Sequence, residues 1–512
     1  METARTAGRT AELARLSAQA ERLAQAGASF ADVRHLRDER LQLAYIAMKG
    51  GAGTRNDQID RSLTASSQGF GVRVLYNGAW GFGACPGAAD DEQSLLAACD
   101  RALMVARANA ALRGKRGTAP ITLTKEAPAR GHFQTEIIRD PFTVPIEERV
   151  HLLRTVACGL RDRAGEFAQS ASAHVGARRQ HKLLATSEGT AVSQILTHSS
   201  CGMKLTAAQG SLVQHRSYPM DLDGAVAAQG YEYIERVDLP SHVDRIADEI
   251  LALLRAPVCP AEDATTLILD TPQLALQIHE SCGHPTESDR AFGEEVSLAG
   301  GSFLTPDRLG RLRYGSDKVS LTAEALTPGA LGTFGWDDEG APARRTPLVE
   351  RGQFVGYLTS RETAARLGLE RSGGCVRAES WNHFPIIRMT NVSLEPDPKG
   401  PTLEELIADT DRGILIGNNR SWSIDDVRLN FQFGCEIAWE IRKGKRTRIL
   451  RDPIYGGITP EFWQRCDAVG GPAAFQMWGL TSCGKGDPMQ LMAVGHGCPP
   501  ARFSGVRTGS LS

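Results

Sequence analysis

Alanines and leucines alternate with arginine, glutamate and glutamine over residues 9–26, and the pattern stops at Gly27, which predicts an amphipathic helix with a glycine end. Residues 41–48 predict a strand. Two further strand-like runs, 71–76 and 79–84, flank Asn77-Gly78. Asn-Gly supplies the two positive-φ positions of a type I′ turn, so this is the clearest hairpin in the chain. A helix over about 91–112 and a linker at 113–120 complete a first α+β unit. The central part repeats the mixture: a helix at 146–164, strands around a turn at Ser187-Glu188-Gly189-Thr190, and a helix at 243–254 that stops before Pro257. Beyond about Thr265 the pattern changes to short strands, glycines and turns, with short helices expected at 360–367 and 402–409. The expected class is α+β, divided into an N-terminal α+β domain (1–115), a central α+β domain (116–262) and a β-rich domain (263–512) carrying one important helix.

With 512 residues the chain can bury ample core. Its 58 basic side chains nearly balance 60 acidic ones, so no overall charge argues for nucleic acid or an anionic membrane as partner, leaving only local patches. No run of about 18 apolar residues predicts a membrane span. The first residues lack the apolar stretch of a secretion signal, which points to a cytoplasmic protein. The eleven cysteines are scattered, with no CxxC pair, so most are expected as buried thiols.

Candidate chemistry concentrates after the strand-like run 265–270. Thr271 reads as an N-cap and Pro272 as the first helical residue, and the helix so begun ends in His279-Glu280-Ser281-Cys282-Gly283-His284. Two imidazoles with an adjacent carboxylate suit a zinc ion and a general base. The familiar spacing is i, i+4; here it is i, i+5, which puts the rings about 140° apart on an ideal α-helix. Sharing one ion therefore requires a π-type widening or an unwound last turn between Ser281 and His284, eased by Gly283. The competing account is two ordinary histidines at a helix C-terminus, where the dipole favours their charged form.

Downstream, Thr481-Ser482-Cys483-Gly484-Lys485-Gly486 reads as a glycine-rich loop whose thiolate could approach a metal, or else as one more buried thiol. Cys282, His496 and Cys498 are rival ligands. Glu287 could accept a hydrogen bond from a ligating imidazole, or lie solvated at the surface. Arg388 and His383 could stabilise an oxyanion, or make ordinary structural bonds. The acidic run Asp337-Asp338-Glu339 could bind a hard cation, but with Gly340 following it reads better as a polar turn. No phosphate loop, dinucleotide fingerprint or nucleophile elbow is present.

The His279-Glu280-x-x-Gly283-His284 segment with Cys483-Gly484-Lys485 resembles the TldD/PmbA family of zinc peptidases. Supporting stretches are Asp337-Asp338-Glu339-Gly340, Arg388-Met389-Thr390-Asn391, Asp426-Val427-Arg428-Leu429-Asn430-Phe431 and the Gly71-Val72-Arg73-Val74 hairpin. The resemblance implies that His279, His284 and Cys483 hold Zn²⁺ and that Glu280 is the catalytic glutamate, as in the family's active branch. It also implies unfolded peptide as substrate, and a homodimer or a heterodimer with a non-catalytic family partner. Neither membrane nor nucleic acid is expected as a partner.

Overall fold

The computed structural model describes residues 2–49, 55–117, 119–221, 223–298 and 300–510, and its architecture is α+β. The expected hairpin joins strand Arg55–Tyr76 to strand Ala79–Pro86, with Asn77 at φ 47° and Gly78 at φ 71°. Both central residues are left-handed, as a type I′ turn requires. Strand Arg55–Tyr76 begins well before position 71, however. Its residues 56–68 are almost wholly exposed, so no alternation of polar and apolar residues marks them.

The chain expected as two domains, 1–115 and 116–262, contributes to one eight-stranded sheet. Phe30–Lys49 pairs along nearly its whole length with Ala168–Thr186, which in turn pairs with Ala191–Gln209. Two separate cores cover this sheet. Helices Glu2–Gln25 and Glu92–Arg116 bury Leu16, Leu23, Leu95 and Ala102 against Val33, Phe70 and Val72. Helices Ile146–Ala164 and Val243–Leu253 bury Val156, Leu160 and Ile250 against Tyr45, Val175 and Leu205.

The C-terminal part contains a closed ring. Arg412–Ile424, Glu262–Leu269, Ala501–Ser510, Pro453–Ile458 and Asn430–Arg442 pair in that order, and the last pairs back to the first. A six-stranded sheet lies beside it, and its strands include Asn391–Leu394, Gln490–Cys498 and Gln476–Lys485. Helix Thr271–Ile278 leaves the ring strand Glu262–Leu269 and runs into their common core, where Leu274, Leu276 and Ile278 meet Leu267, Ile416, Val392 and Val494. All eight of its residues are buried. Its N-cap is Asp270, not Thr271: the Asp270 carboxylate accepts from Thr271 N at 2.8 Å, and Pro272 follows in the first turn. The short helices Arg361–Arg366 and Leu403–Ala408 form as expected, each behind a capping box led by Ser360 or Thr402.

Buried ion pairs tie the N-terminal sheet to the C-terminal part. Arg73 donates to Asp32 at 2.7 Å and lies 3.5 Å from Glu339; Lys182 lies 2.5 Å and Arg34 3.5 Å from Asp338. The Asp337–Glu339 run is therefore a turn, as read, but a buried one. Asp337 accepts from the backbone N–H groups of Glu339, Ala341 and Val376.

Candidate metal centre

The helix does not continue as an α-helix through His284. Residues His279–Gly283 form a π turn, closed by a hydrogen bond from His284 N to His279 O, and a 3₁₀ turn follows over His284–Thr286. The widening swings His284 back toward His279, and the two rings lie 4.7 Å apart, edge to face. The departure from α-geometry begins two residues earlier than Ser281. Buried partners hold the π turn: Ser281 Oγ donates to Gln277 O at 2.5 Å and accepts from Trp463 Nε1 at 2.9 Å, while Tyr314 Oη donates to Ser281 O at 2.8 Å. Gly283 has an ordinary φ, so it is there for space. A Cβ at this position would sit 2.2 Å from Met389 Sδ, and Met389 is fully buried.

Cys483 reaches the same point from the six-stranded sheet. It lies in strand Gln476–Lys485 rather than in a loop, just after an irregularity in the pairing with Gln490–Cys498; the turn begins only near Gly486. One ligand atom from each of His279, His284 and Cys483 lies within 4.8 Å of the others, and Cys483 Sγ is 3.8 Å from His284 Nε2. All three side chains are buried.

The hydrogen bonds behind the histidines decide which nitrogens face inward. His496 Nδ1 lies 3.0 Å from Val392 O, an acceptor only, so that nitrogen carries the proton and His496 Nε2 accepts. His279 Nδ1, 2.8 Å from His496 Nε2, must then donate, which leaves His279 Nε2 with a free lone pair. His284 Nδ1 lies 3.0 Å from Glu287 Oε2. Burial alone would raise the Glu287 carboxyl, but Lys485 and Arg290 hold it well below its usual range, so it is an ionised acceptor. With its proton on Nδ1, His284 also turns a bare Nε2 inward. Arg290 Nη2, 3.1 Å from His284 Nδ1, competes for that nitrogen, and a cation at Nε2 is compatible only with the bond to Glu287.

Charge completes the preparation. Burial lowers the pKa of His279, and burial followed by Arg290 lowers that of His284 to about 4, so both rings are neutral near pH 7. Burial opposes ionisation of Cys483, yet Arg388 and His284 outweigh it and bring the thiol below its ordinary value. Two neutral imidazoles and a thiol whose ionisation is favoured form a donor set suited to zinc. Glu280, next to His279 in the chain and felt by it as a charge, is 6% exposed, with Arg428 Nη1 at 4.0 Å from its Oε2.

Residues 262–510 match the C-terminal domain and residues 50–106 match domain 1 of the PmbA/TldA metallopeptidases, together more than half of the chain. The chain belongs to the TldD/PmbA family. A metalloprotease of Methanothermobacter thermautotrophicus is 28% identical over 466 residues, covering 91% of this chain and 92% of that one. A metalloprotease of Synechocystis sp. is 28% identical over 491 residues, covering 95% and 96%. TldE from Thermococcus kodakarensis shares the fold, with a TM-score of 0.68 at 16% identity over 96% of this chain and 99% of that one. Family and relatives together make this TldD/PmbA protein a metallopeptidase, a hydrolase of peptide bonds.

The other residues singled out in the sequence of this family member fall into place around the cluster or away from it. Cys282 faces Tyr314 and burial raises its thiol; Cys498 Sγ donates to Thr271 O at 3.4 Å. Neither joins the three ligand atoms. His496 lies behind His279, in the strand Gln490–Cys498. Arg388 is fully buried and donates to the carbonyls of Cys483 and Gln490, so it supports the Cys483 strand. His383 lies outside the cluster; its carbonyl accepts from Arg34 Nη2 at 3.2 Å. Lys485 is buried and reaches both Asp289 oxygens at 2.7 and 2.8 Å and Glu287 Oε1 at 3.4 Å. No spacing rule marks His496 or Lys485, because their partners lie in distant elements. Among the described residues no helix is long and apolar enough to cross a membrane.

Proposed function

We propose that this metallopeptidase is zinc-dependent and hydrolyses unfolded or extended peptides, with His279, His284 and Cys483 holding the ion and Glu280 acting as general base. The observation that carries the proposal is the convergence of three buried ligand atoms within 4.8 Å, with the carboxylate of Glu280 following His279 in the chain and acting on it by its charge. Zinc bound there would supply Lewis acidity to a water and to the scissile carbonyl. Glu280 accepts a proton from the attacking water as its oxygen bonds to the carbonyl carbon, then returns that proton to the amine nitrogen as the C–N bond breaks. His496 and Glu287 hold the two imidazoles in the tautomer that leaves each Nε2 free. The burial of the ligands and Glu280 supports a thin, extended substrate over a folded one.

A non-catalytic protein with a structural zinc is the competing account. A closed structural site uses four protein ligands. Cys282 and Cys498 are both engaged elsewhere, which favours an open position and the catalytic account. The family resemblance further leads us to expect a dimer, measurable by light scattering.

The test removes metal with a chelator and restores it, using a short unstructured peptide and a stable folded domain as substrates. Peptide cleavage is expected to disappear with the metal and return with zinc, and the folded domain is expected to resist. Undiminished cleavage by metal-free protein would overturn the proposal.

A further inference from the structure

Arg428 is held in a conformation that large side chains avoid. Its φ is 66°, in the left-handed region. Two other bulky residues share this feature, Arg351 at φ 45° and Lys443 at φ 50°, but each precedes a positive-φ glycine, Gly352 or Gly444, as in a two-residue hairpin turn. Arg428 precedes Leu429 and holds the left-handed position at the end of the turn in a longer hairpin loop, a place usually given to glycine or asparagine. It sits in the connection between the ring strands Arg412–Ile424 and Asn430–Arg442, and the surrounding bonds over-determine it. Asp425 O accepts from Arg428 N at 3.0 Å, and the Asp425 carboxylate accepts from Leu429 N at 2.8 Å and Asn430 N at 3.0 Å. Thr459 Oγ1 donates to Arg428 O at 2.9 Å, and Val427 O accepts from Phe303 N at 2.8 Å. A strained residue fixed so firmly beside a reactive group is a sign of function.

The loop brings the guanidinium to Glu280. Arg428 Nη1 lies 4.0 Å from Glu280 Oε2, and the Arg428 side chain keeps 16% exposure where the ligands are buried. Arg428 also feels the charges of Glu287, Cys483 and Arg290. We propose that Arg428 is a catalytic residue that donates to the oxygen of the scissile carbonyl as negative charge develops there. The inference rests on the peptidase proposal. As the water oxygen bonds to the carbonyl carbon, the C=O π pair moves onto the carbonyl oxygen while Glu280 takes the proton. That pair returns as the C–N bond breaks and the amine leaves with the proton. A fixed cation next to the general base suits the carbonyl oxygen, which is one bond from the carbon under attack. The carboxylate of a neighbouring substrate residue would lie about 3.8 Å further along the chain, measured between α-carbons. Arginine stays protonated through this cycle, so it acts by charge and hydrogen bonding alone.

Arg428→Gly separates this role from a structural one, because glycine adopts φ 66° without strain. The variant is expected to melt no lower than wild type and to bind the same amount of metal. Its kcat on an unstructured peptide is expected to fall about 100-fold, the scale for losing one oxyanion donor, with KM little changed. Added millimolar guanidinium is expected to restore part of the loss in this variant. Wild-type kcat in Arg428→Gly would overturn the inference while leaving the peptidase proposal standing. So would a loss of activity in proportion to lost metal or lowered melting temperature. A metal-loaded wild-type protein that cleaves no peptide would overturn the peptidase proposal, and the inference with it.

Discussion

His496 shows what a single residue can hide in a sequence. It lies 217 positions from His279; its spacing to Cys498 marks it as a rival ligand, but no local pattern pairs it with His279. Only the contact between their rings reveals that it fixes the tautomer of His279. His279, Glu280 and His284 were legible because they share one short segment. Cys483 was legible through resemblance, although its strand setting was not: the glycines around it look like a loop. Two predictions belong to this scale. Replacing His496 with Phe removes the acceptor for His279 Nδ1 and should weaken metal affinity by about 10–100-fold, the usual cost of losing such a partner. Competition with a chelating dye measures this, and unchanged affinity would mean that the bond has no orienting role. Cys483→Ser should lower metal occupancy, since a neutral hydroxyl is a poorer zinc donor than thiolate. Full occupancy and activity in that variant would remove Cys483 from the site.

At the scale of elements, the five-residue histidine spacing called for a departure from α-geometry, by a π-type widening or an unwound last turn, and the chain takes the first, a π turn starting at His279. Its support was not foretold, because Trp463, Tyr314 and Met389 come from three distant parts of the chain. The role of Gly283 also differs from the expectation, being close approach to Met389 rather than backbone freedom. Gly283→Ala should therefore destabilise the fold by about 1–3 kcal/mol, the range for overpacking a filled core. Shortening the neighbour in the double variant Gly283→Ala/Met389→Ala should recover part of the metal occupancy lost. Thermal unfolding with metal analysis tests both statements; a harmless Gly283→Ala would show that Met389 yields easily. Strand Arg55–Tyr76 marks the opposite limit. A segment exposed on both faces has no hydrophobic period, so its first half was invisible.

The whole molecule joins segments whose pairing no local pattern announces. Phe30–Lys49 pairs with Ala168–Thr186 across more than 100 residues, so the shared sheet could not be read from the sequence, whereas the two separate cores match the separate helical patterns. The buried charges that fasten this sheet to the metal-bearing part look, in sequence, like an ordinary acidic turn. Arg73 is 2% exposed and answers both Asp32 and Glu339. Arg73→Met leaves two buried carboxylates without it and should cost about 3–5 kcal/mol, the scale for breaking a buried pair from one side. Chemical denaturation measures the loss. A change below about 1 kcal/mol, typical of exposed pairs, would show that water or rearranged partners replace it.

The central claim is that one group of residues holds the metal and a different residue handles the proton. The most direct measurement is bound zinc and peptide turnover in Glu280→Gln, side by side with wild type. Glutamine keeps the shape but cannot take a proton, so zinc content should be unchanged while kcat falls about 100-fold or more, the scale for a lost general base. Turnover near the wild-type rate, or loss of zinc together with activity, would contradict the account.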